Sequence, residues 1–280
     1  MLKRFGLDKA KPCPTLASDR NDLVKNDLNE PQADQNLYQQ GIGSVNWLAM
    51  SSRPNISYCC GMLAQHCNAP SVWNWNGVVH LMRYISGTKS LRVWIRGYGN
   101  TEGIEVPRLL QGIGGTLDSS LLGFCDADHA RDETDRKSVS GHLFLLNRGP
   151  VSWSSAKQRC VATSTAEAEY IALAEASKQG QWLRSLLKEL GRALMLGPNQ
   201  EVRIFSDNQA CIAIANDPIA HRRTKHIDVR YHYIRQLIGA RKARVSYLPT
   251  QDMLADVLTK PLPLPLLRRC IKDYLMLAAK

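Results

Sequence analysis

The sequence predicts an α/β protein in which a small helical domain precedes a mixed five-stranded sheet flanked by helices. Apolar residues recur at alternate positions in three successive short segments, LLGFCDAD, GHLFLLN and VSWSS, which is typical of an antiparallel meander. Two later strand-like segments, VRIFS and ARVSYL, each follow a helical pattern, and helical crossovers join parallel strands. The order of elements therefore implies a meander at one edge of the sheet and parallel strands at the other.

The first part of the chain divides into three stretches. Residues 1–36 are polar and contain proline breakers, so they predict an extended lead-in. Residues 37–88 carry three helical patterns, of which the second opens at Pro54 and the third at Pro70. Residues 89–119 mix short extended runs with glycine-rich turns, which indicates a linker between two domains.

The second domain is predicted over residues 120–265, with a C-terminal helix or tail over 266–280. After the meander comes the longest helical pattern, then the strand VRIFS, two further helices and the strand ARVSYL. Pro249 then opens a last predicted helix that carries Asp252 and Asp256. A chain of 280 residues is long enough for two such domains, because a domain usually has about 100–200 residues.

The charge balance points to a polyanionic partner. The formal net charge is +11 and the sequence pI is near 9.4, which makes nucleic acid the leading candidate. The N-terminus has no apolar signal-peptide core, and no stretch reaches the ~18 apolar residues of a membrane span. Eight cysteines lie scattered without CxxC spacing, which argues against a disulfide framework or a zinc site. We therefore expect an intracellular protein, cytoplasmic or nuclear, with reduced thiols and no membrane segment.

The longest helical pattern, from Val161 to Leu190, places a carboxylate on its apolar face. At 100° per residue Glu169 falls in line with the leucines and alanines of that face, whereas Glu167 falls nearly opposite and is predicted to face solvent. A buried carboxylate is costly unless it meets a cation or takes up a proton, so Glu169 indicates a metal ion, an arginine or a neutral carboxyl group. The alternative is that Glu169 lies at the edge of the apolar stripe and reaches water.

Four acidic residues stand at the ends or inner faces of separate predicted elements: Asp126, Glu169, Asp207 and Asp256. Taken singly, each is more typical of a solvated surface. Sites in open sheets form beyond the carboxyl ends of parallel strands, where Asp207 is expected. Oxygen ligands without histidine or cysteine suit Mg²⁺ or Mn²⁺, and two such ions about 4 Å apart catalyse phosphodiester hydrolysis in many nucleases.

Several longer segments carry a more specific pattern: FCDADHARDETDRKSVSGHLFLLNRGPVSWSSAKQ, VATSTAEAEYIALAEA, IFSDNQACIAIA, RTKHIDVRYHYIR and LPTQDMLADVLTKPLP. They resemble the ribonuclease H domain of copia-type retrotransposon polyproteins, and the resemblance covers nearly all of residues 120–265. The upstream segments YQQGIGSVNWLAMSSRPNISYCCGMLA and WNGVVHLMRYISGT are similar to the thumb- or connection-like part that joins reverse transcriptase to that domain. His129 departs from the family pattern, which usually has tryptophan there.

The resemblance implies a ribonuclease H-like fold and assigns metal binding and catalysis to Asp126, Glu169, Asp207 and Asp256. It leaves Asp128 and Asp252 as neighbours of the metal ligands. It also implies the cofactor, two Mg²⁺ or Mn²⁺ ions, and the substrate, an RNA–DNA hybrid whose RNA strand is cut. Four cations crowd one later segment and are candidates for phosphate contacts, although a solvated loop is an equal alternative: Arg222, Arg223, Lys225 and Arg230.

The sequence contains no Tyr-x-Asp-Asp polymerase signature. We therefore expect a divalent-metal-dependent endonuclease that is a C-terminal fragment of a retrotransposon polyprotein and lacks the polymerase active site. Its expected partners are the hybrid and the polymerase part of a reverse transcriptase. The alternative is a catalytically inactive, nucleic-acid-binding remnant of such an element.

Overall fold

A computed structural model describes residues 1–18, 23, 30–93, 121–130, 135–147, 149–192, 196, 201–217 and 227–277. The chain forms two compact units, and each is considered by itself. One unit combines Met1–Val93 with Val257–Lys280, and the other comprises Trp94–Asp256. Within the described residues no helix is both long and apolar enough to cross a membrane.

The first unit contains the predicted helical region, built from α1 (Gln35–Ser51), α2 (Ser57–Ala64) and α3 (Val72–Gly87). Pro54 opens a 3-10 turn that leads into α2, as its fixed φ favours. Helix α3 differs slightly from the prediction, because Ser71 rather than Pro70 caps it. The Ser71 hydroxyl accepts a hydrogen bond from the Asn74 backbone NH, and the Asn74 side chain accepts one from the Ser71 backbone NH.

The same unit is closed by the last part of the chain. Helix α7 (Leu264–Tyr274) leads into β7 (Leu275–Leu277), which pairs antiparallel with β1 (Leu91–Val93). The predicted C-terminal helix or tail therefore begins two residues earlier than expected and ends in a short strand that the sequence did not indicate. Apart from its first residues, the predicted linker lies outside the described part of the chain.

The second unit is organised around a mixed five-stranded sheet with the order β4-β3-β2-β5-β6. The first three strands form the predicted antiparallel meander, and β2, β5 and β6 are parallel neighbours. The strands are β2 (Leu122–Asp128), β3 (Val139–Leu146), β4 (Gly149–Lys157), β5 (Val202–Ser206) and β6 (Ala243–Tyr247). Pro150 is tolerated in β4 because that strand forms an edge of the sheet.

Helix α4 (Thr165–Glu189) packs against the sheet, mainly against β2 and β3. Two glycines make room for the buried ring of Phe144. A Cβ atom at Gly123 would lie 2.6 Å from Phe144 Cε1, and one at Gly180 of α4 would lie 3.1 Å from the same atom. The small residues allow the helix and the sheet to approach closely around one aromatic side chain.

Helices α5 (Gln209–Asn216) and α6 (Tyr233–Gly239) complete this layer. The predicted last helix is instead two 3-10 helices, Thr250–Asp252 and Leu254–Leu258, because Met253 between them has an extended backbone. Together these elements form the ribonuclease H-like fold that the sequence indicated.

Candidate metal centre

The central strand β2 delivers the first carboxylate. Asp126 lies opposite Gly141 of β3 in the antiparallel register and is only 2% exposed. Both flanking partners of this strand are present, since β3 lies on one side and β5 on the other. Asp126 lies two residues beyond Phe124, the last residue of β2 that pairs with β5, and the desolvation of such a buried carboxylate is costly unless a cation is close.

The long helix α4 delivers the second carboxylate, Glu169, from its second turn. The prediction that its side chain is directed away from solvent is supported, because Glu169 is 6% exposed. The prediction that Glu167 faces solvent is wrong, because its exposure is also 6%. Glu167 Oε2 accepts hydrogen bonds of 2.7 Å from both the backbone NH and the hydroxyl of Thr163, just before the Ser164 cap of the helix.

The third carboxylate, Asp207, directly follows β5, at the carboxyl end of a parallel strand as predicted. The Thr250 hydroxyl donates a hydrogen bond of 2.7 Å to Asp207 Oδ2. Thr250 follows β6, the parallel neighbour of β5, so adjacent strand ends bring the two side chains together. Sequence reasoning missed Thr250, since a threonine after a proline in a loop has no pattern that distinguishes it from an ordinary turn residue.

Asp126, Glu169 and Asp207 converge, with one oxygen from each within 4.8 Å of the others. Three elements that are distant in sequence thus supply three hard oxygen ligands, which is the donor chemistry that Mg²⁺ and Mn²⁺ prefer. The donor set therefore fits a divalent cation and does not resemble a zinc site.

Burial and the negative charge of the nearby carboxylates raise the pKa of two thiols, Cys125 and Cys211. Burial raises the pKa of Cys125 well above its usual range, and Cys211, Glu169, Asp126 and Asp207 raise it further. The pKa of Cys211 is likewise raised, first by burial and then by Glu169. In the absence of a metal ion, both thiols are therefore protonated.

The remaining acidic candidates lie outside the three-carboxylate group. Asp256 is buried in the 3-10 helix Leu254–Leu258, with 6% exposure, and its assignment as a fourth ligand stays a prediction. Asp128 is buried at the end of β2, two residues beyond Asp126, and Asp252 belongs to the preceding 3-10 helix.

Of the four predicted phosphate-binding residues, the structure describes only Arg230. Arg222, Arg223 and Lys225 lie outside the described residues. Arg230 forms an exposed ion pair of 3.0 Å with Asp228, and its guanidinium lies 4.8 Å from the centre of the Tyr231 ring. The role of all four in nucleic-acid binding stays a prediction.

One further contact connects the centre to the segment that contains Arg230. The Tyr170 hydroxyl and His232 Nδ1 are 3.1 Å apart, and their rings lie 5.6 Å apart. Tyr170 is the neighbour of Glu169 in α4, so this hydrogen bond holds the segment after Asp228 against the helix next to a candidate ligand. His129, at the end of the first strand segment, has Nε2 3.1 Å from the Ala162 carbonyl oxygen.

The five-stranded order, with carboxylates gathered at the ends and centre of its strands and on one helix, defines a protein of the ribonuclease H-like class. No protein-family model matches the chain. A solved structure of ribonuclease H1 LC11, isolated from compost by a metagenomic approach, is 18% identical and covers 50% of this chain and 93% of its own, with a TM-score of 0.37.

Two plant proteins are similar to the chain over most of its length. The retrovirus-related Pol polyprotein from transposon TNT 1-94 of Nicotiana tabacum is 32% identical over 278 residues, which are 94% of this chain and 18% of that protein. The corresponding polyprotein from transposon RE1 of Arabidopsis thaliana is 36% identical over 264 residues, again 94% of this chain but 16% of the relative. The chain is thus similar over nearly all of its length to copia-type retrotransposon Pol polyproteins, and it spans less than a fifth of the length of these two relatives.

Proposed function

We propose that the protein is a divalent-metal-dependent endonuclease that cleaves the RNA strand of RNA–DNA hybrids. The observation that carries this proposal is the convergence of Asp126, Glu169 and Asp207 from a strand, a helix and a strand end. Such a set of oxygen ligands in a strongly basic chain suits hydrolysis of a polyanion. Similarity to retrotransposon polyproteins supports the same substrate class.

The acidic side chains and Thr250 would have separate roles in metal binding. Asp126, Glu169 and Asp207 would hold one cation, and Asp256 would contribute to a second. When bound, divalent cations supply an activated water and neutralise the charge that develops on the scissile phosphate. The Thr250 hydroxyl donates a hydrogen bond to Asp207 Oδ2, and this contact would keep the carboxylate in place at the site. The strand and helix backbones fix these directions before the substrate arrives, so little reorganisation accompanies the reaction.

Hybrid recognition would rest on charge and on the sugar. The basic residues, Arg222, Arg223, Lys225 and Arg230 among them, would hold phosphates, and the 2′-hydroxyl groups would mark the RNA strand for cleavage. The helical region over residues 37–88 would serve as the thumb- or connection-like segment that precedes the nuclease domain. In a polyprotein inside the cell, the polymerase part of a reverse transcriptase would be the natural partner.

The direct test is cleavage by the purified protein of labelled RNA–DNA hybrid, duplex DNA and duplex RNA, each with Mg²⁺, with Mn²⁺ and with chelator. We expect cleavage of the hybrid alone, and only with metal. Asp207→Asn should abolish it, because this substitution removes a ligand charge. Asp228→Asn is the matched control, since Asp228 is an exposed aspartate paired with Arg230, outside the carboxylate group.

Metal-independent cleavage, or equal activity of the Asp207→Asn and Asp228→Asn variants, would contradict the proposal. Hybrid binding without cleavage under any of the metal conditions would favour the catalytically inactive remnant instead.

A further inference from the structure

A shallow groove of about 540 Å³ lies on the second unit, and its lining includes none of the three carboxylates Asp126, Glu169 and Asp207. One wall is the C-terminal half of α4, and the other is the segment from Val229 to Gln236, which includes the first turn of α6. Its lining includes two aromatic rings, two cations and two amides: Trp182, Tyr233, Lys178, Arg230, Gln181 and Gln236. We call this feature the α4–α6 groove.

The apolar side chains of the α4–α6 groove are unusually exposed. Trp182 has 58% of its surface exposed although it lies on a helix whose opposite face packs against the sheet, and Val229 is 81% exposed. Leaving large apolar side chains in water costs free energy unless a ligand covers them. A flat indole ring in an open groove suits stacking against a nucleobase, because every base offers a π-face.

The charge of the groove selects the same kind of ligand. The two charged side chains that line the groove, Lys178 and Arg230, are both cations. Their partners Glu175 and Asp228 form exposed ion pairs, at 2.8 Å and 3.0 Å. Exposed pairs of this kind contribute little to stability, so both cations can exchange them for phosphate oxygens. The chain that forms one wall follows directly on a run that carries Arg222, Arg223 and Lys225.

The position of the groove relates it to the carboxylates. Trp182 and Glu169 lie on the same helix, about 13 residues and therefore roughly 20 Å apart along its axis. At about 3.4 Å per stacked nucleotide, that distance corresponds to roughly six nucleotides. A single strand that leaves a hybrid at the metal centre would therefore need at least this length to reach the α4–α6 groove.

We propose that the α4–α6 groove binds single-stranded nucleic acid, with a base stacked on Trp182 and phosphates held by Lys178 and Arg230. This single-strand site is separate from the metal centre. It rests on the proposed function only in its assignment to the strand that flanks a hybrid, because the binding itself requires neither metal nor cleavage.

The test measures binding of fluorescently labelled oligothymidylate and oligouridylate by anisotropy, in chelator, for the full chain and its variants. Trp182→Ala should weaken binding roughly 5- to 150-fold, as expected for the loss of one base stack, and Trp182→Phe should retain most of the affinity. Lys178→Gln should lower the slope of log affinity against log salt by about 0.7. Leu190→Ala is the matched control, because Leu190 is an exposed apolar residue at the end of the same helix, outside the groove lining.

An unchanged affinity of Trp182→Ala for both oligonucleotides would overturn the proposal and leave the groove to a protein partner. An equal loss in Leu190→Ala would also overturn it, since the effect would then belong to the whole helix. Thermal melts of each variant verify folding. If the wild type bound oligonucleotides through Trp182 yet never cut hybrid, the proposed nuclease function would fail while the single-strand site would stand.

Discussion

Replacing Asp126 with asparagine should stabilise the metal-free protein while it abolishes cleavage. In the absence of a cation, carboxylate oxygens of Asp126, Glu169 and Asp207 lie within 4.8 Å of one another. At that distance each pair of like charges repels by about 1 kcal/mol in surroundings like water and by about 3 kcal/mol at the lower effective dielectric constant near a protein surface. Asparagine keeps the shape of the side chain and removes two of these repulsive pairs.

The expected gain in the free energy of unfolding is therefore about 2 kcal/mol or more. For a unit of about 150 residues, this corresponds to a rise in melting temperature of roughly 4 to 8 °C. The assay is a thermal melt in chelator at low ionic strength, because salt screens the repulsion. Mg²⁺ should then raise the melting temperature of the wild type more than that of Asp126→Asn, since only the intact group gains the full binding free energy.

Glu189→Gln supplies the comparison, because it removes an exposed carboxylate at the far end of α4 and should change the melting temperature little. If Asp126→Asn melted at or below the wild-type temperature in chelator, or cut hybrid at the wild-type rate, Asp126 would be an ordinary structural aspartate. The metal centre would then lose its first ligand.

Three further outcomes are expected. Glu169→Gln should abolish hybrid cleavage, whereas Glu167→Gln should still cleave the hybrid below its melting temperature. Glu167→Gln should lose about 1 kcal/mol of stability, because Glu167 accepts hydrogen bonds at the start of the helix. Equal loss of cleavage in the two variants would refute this difference. Gly123→Ala should lower the free energy of unfolding in urea by about 1–3 kcal/mol, because its methyl group would lie 2.6 Å from the Phe144 ring, and a neutral effect would show that the ring can move. Burial lowers the pKa of His142 to about 4 from 6.5, so its contribution to stability is present above pH 6.5 and is lost as the pH falls toward 4. As the pH falls from 6.5 to 4, the free energy of unfolding of His142→Gln should therefore decrease less than that of the wild type. Parallel profiles of the free energy of unfolding against pH would contradict this.

The sheet was predictable from the sequence because its strands carry strong local signals. Alternation in LLGFCDAD and the helical patterns before VRIFS and ARVSYL are sufficient to infer the meander and the parallel strands. The pairing of Leu91–Val93 with Leu275–Leu277 was not predictable, since strands of three residues have no measurable period and join distant parts of the chain. The break at Met253 depends on one extended residue, which helix propensity does not determine.

The site shows the same division between local and tertiary information. The helical period located Glu169, and the end of a predicted strand located Asp207. The period failed for Glu167 because a wheel describes an isolated helix, whereas Thr163 in the preceding loop folds back over the first turn. The role of Thr250 could not be predicted for a related reason, because its hydrogen bond to Asp207 forms only when β5 and β6 lie side by side.

The antiparallel pair of β1 and β7 has a consequence for the order in which the protein folds as it is synthesised. Every strand of the five-stranded sheet has left the ribosome before β7, although β1 precedes them all. At about 5–20 residues per second, roughly 10 to 40 s separate the appearance of the two partners of this pair. The unit that contains β1 is therefore completed only after the whole five-stranded sheet has been synthesised, although most of its residues precede that sheet in the chain.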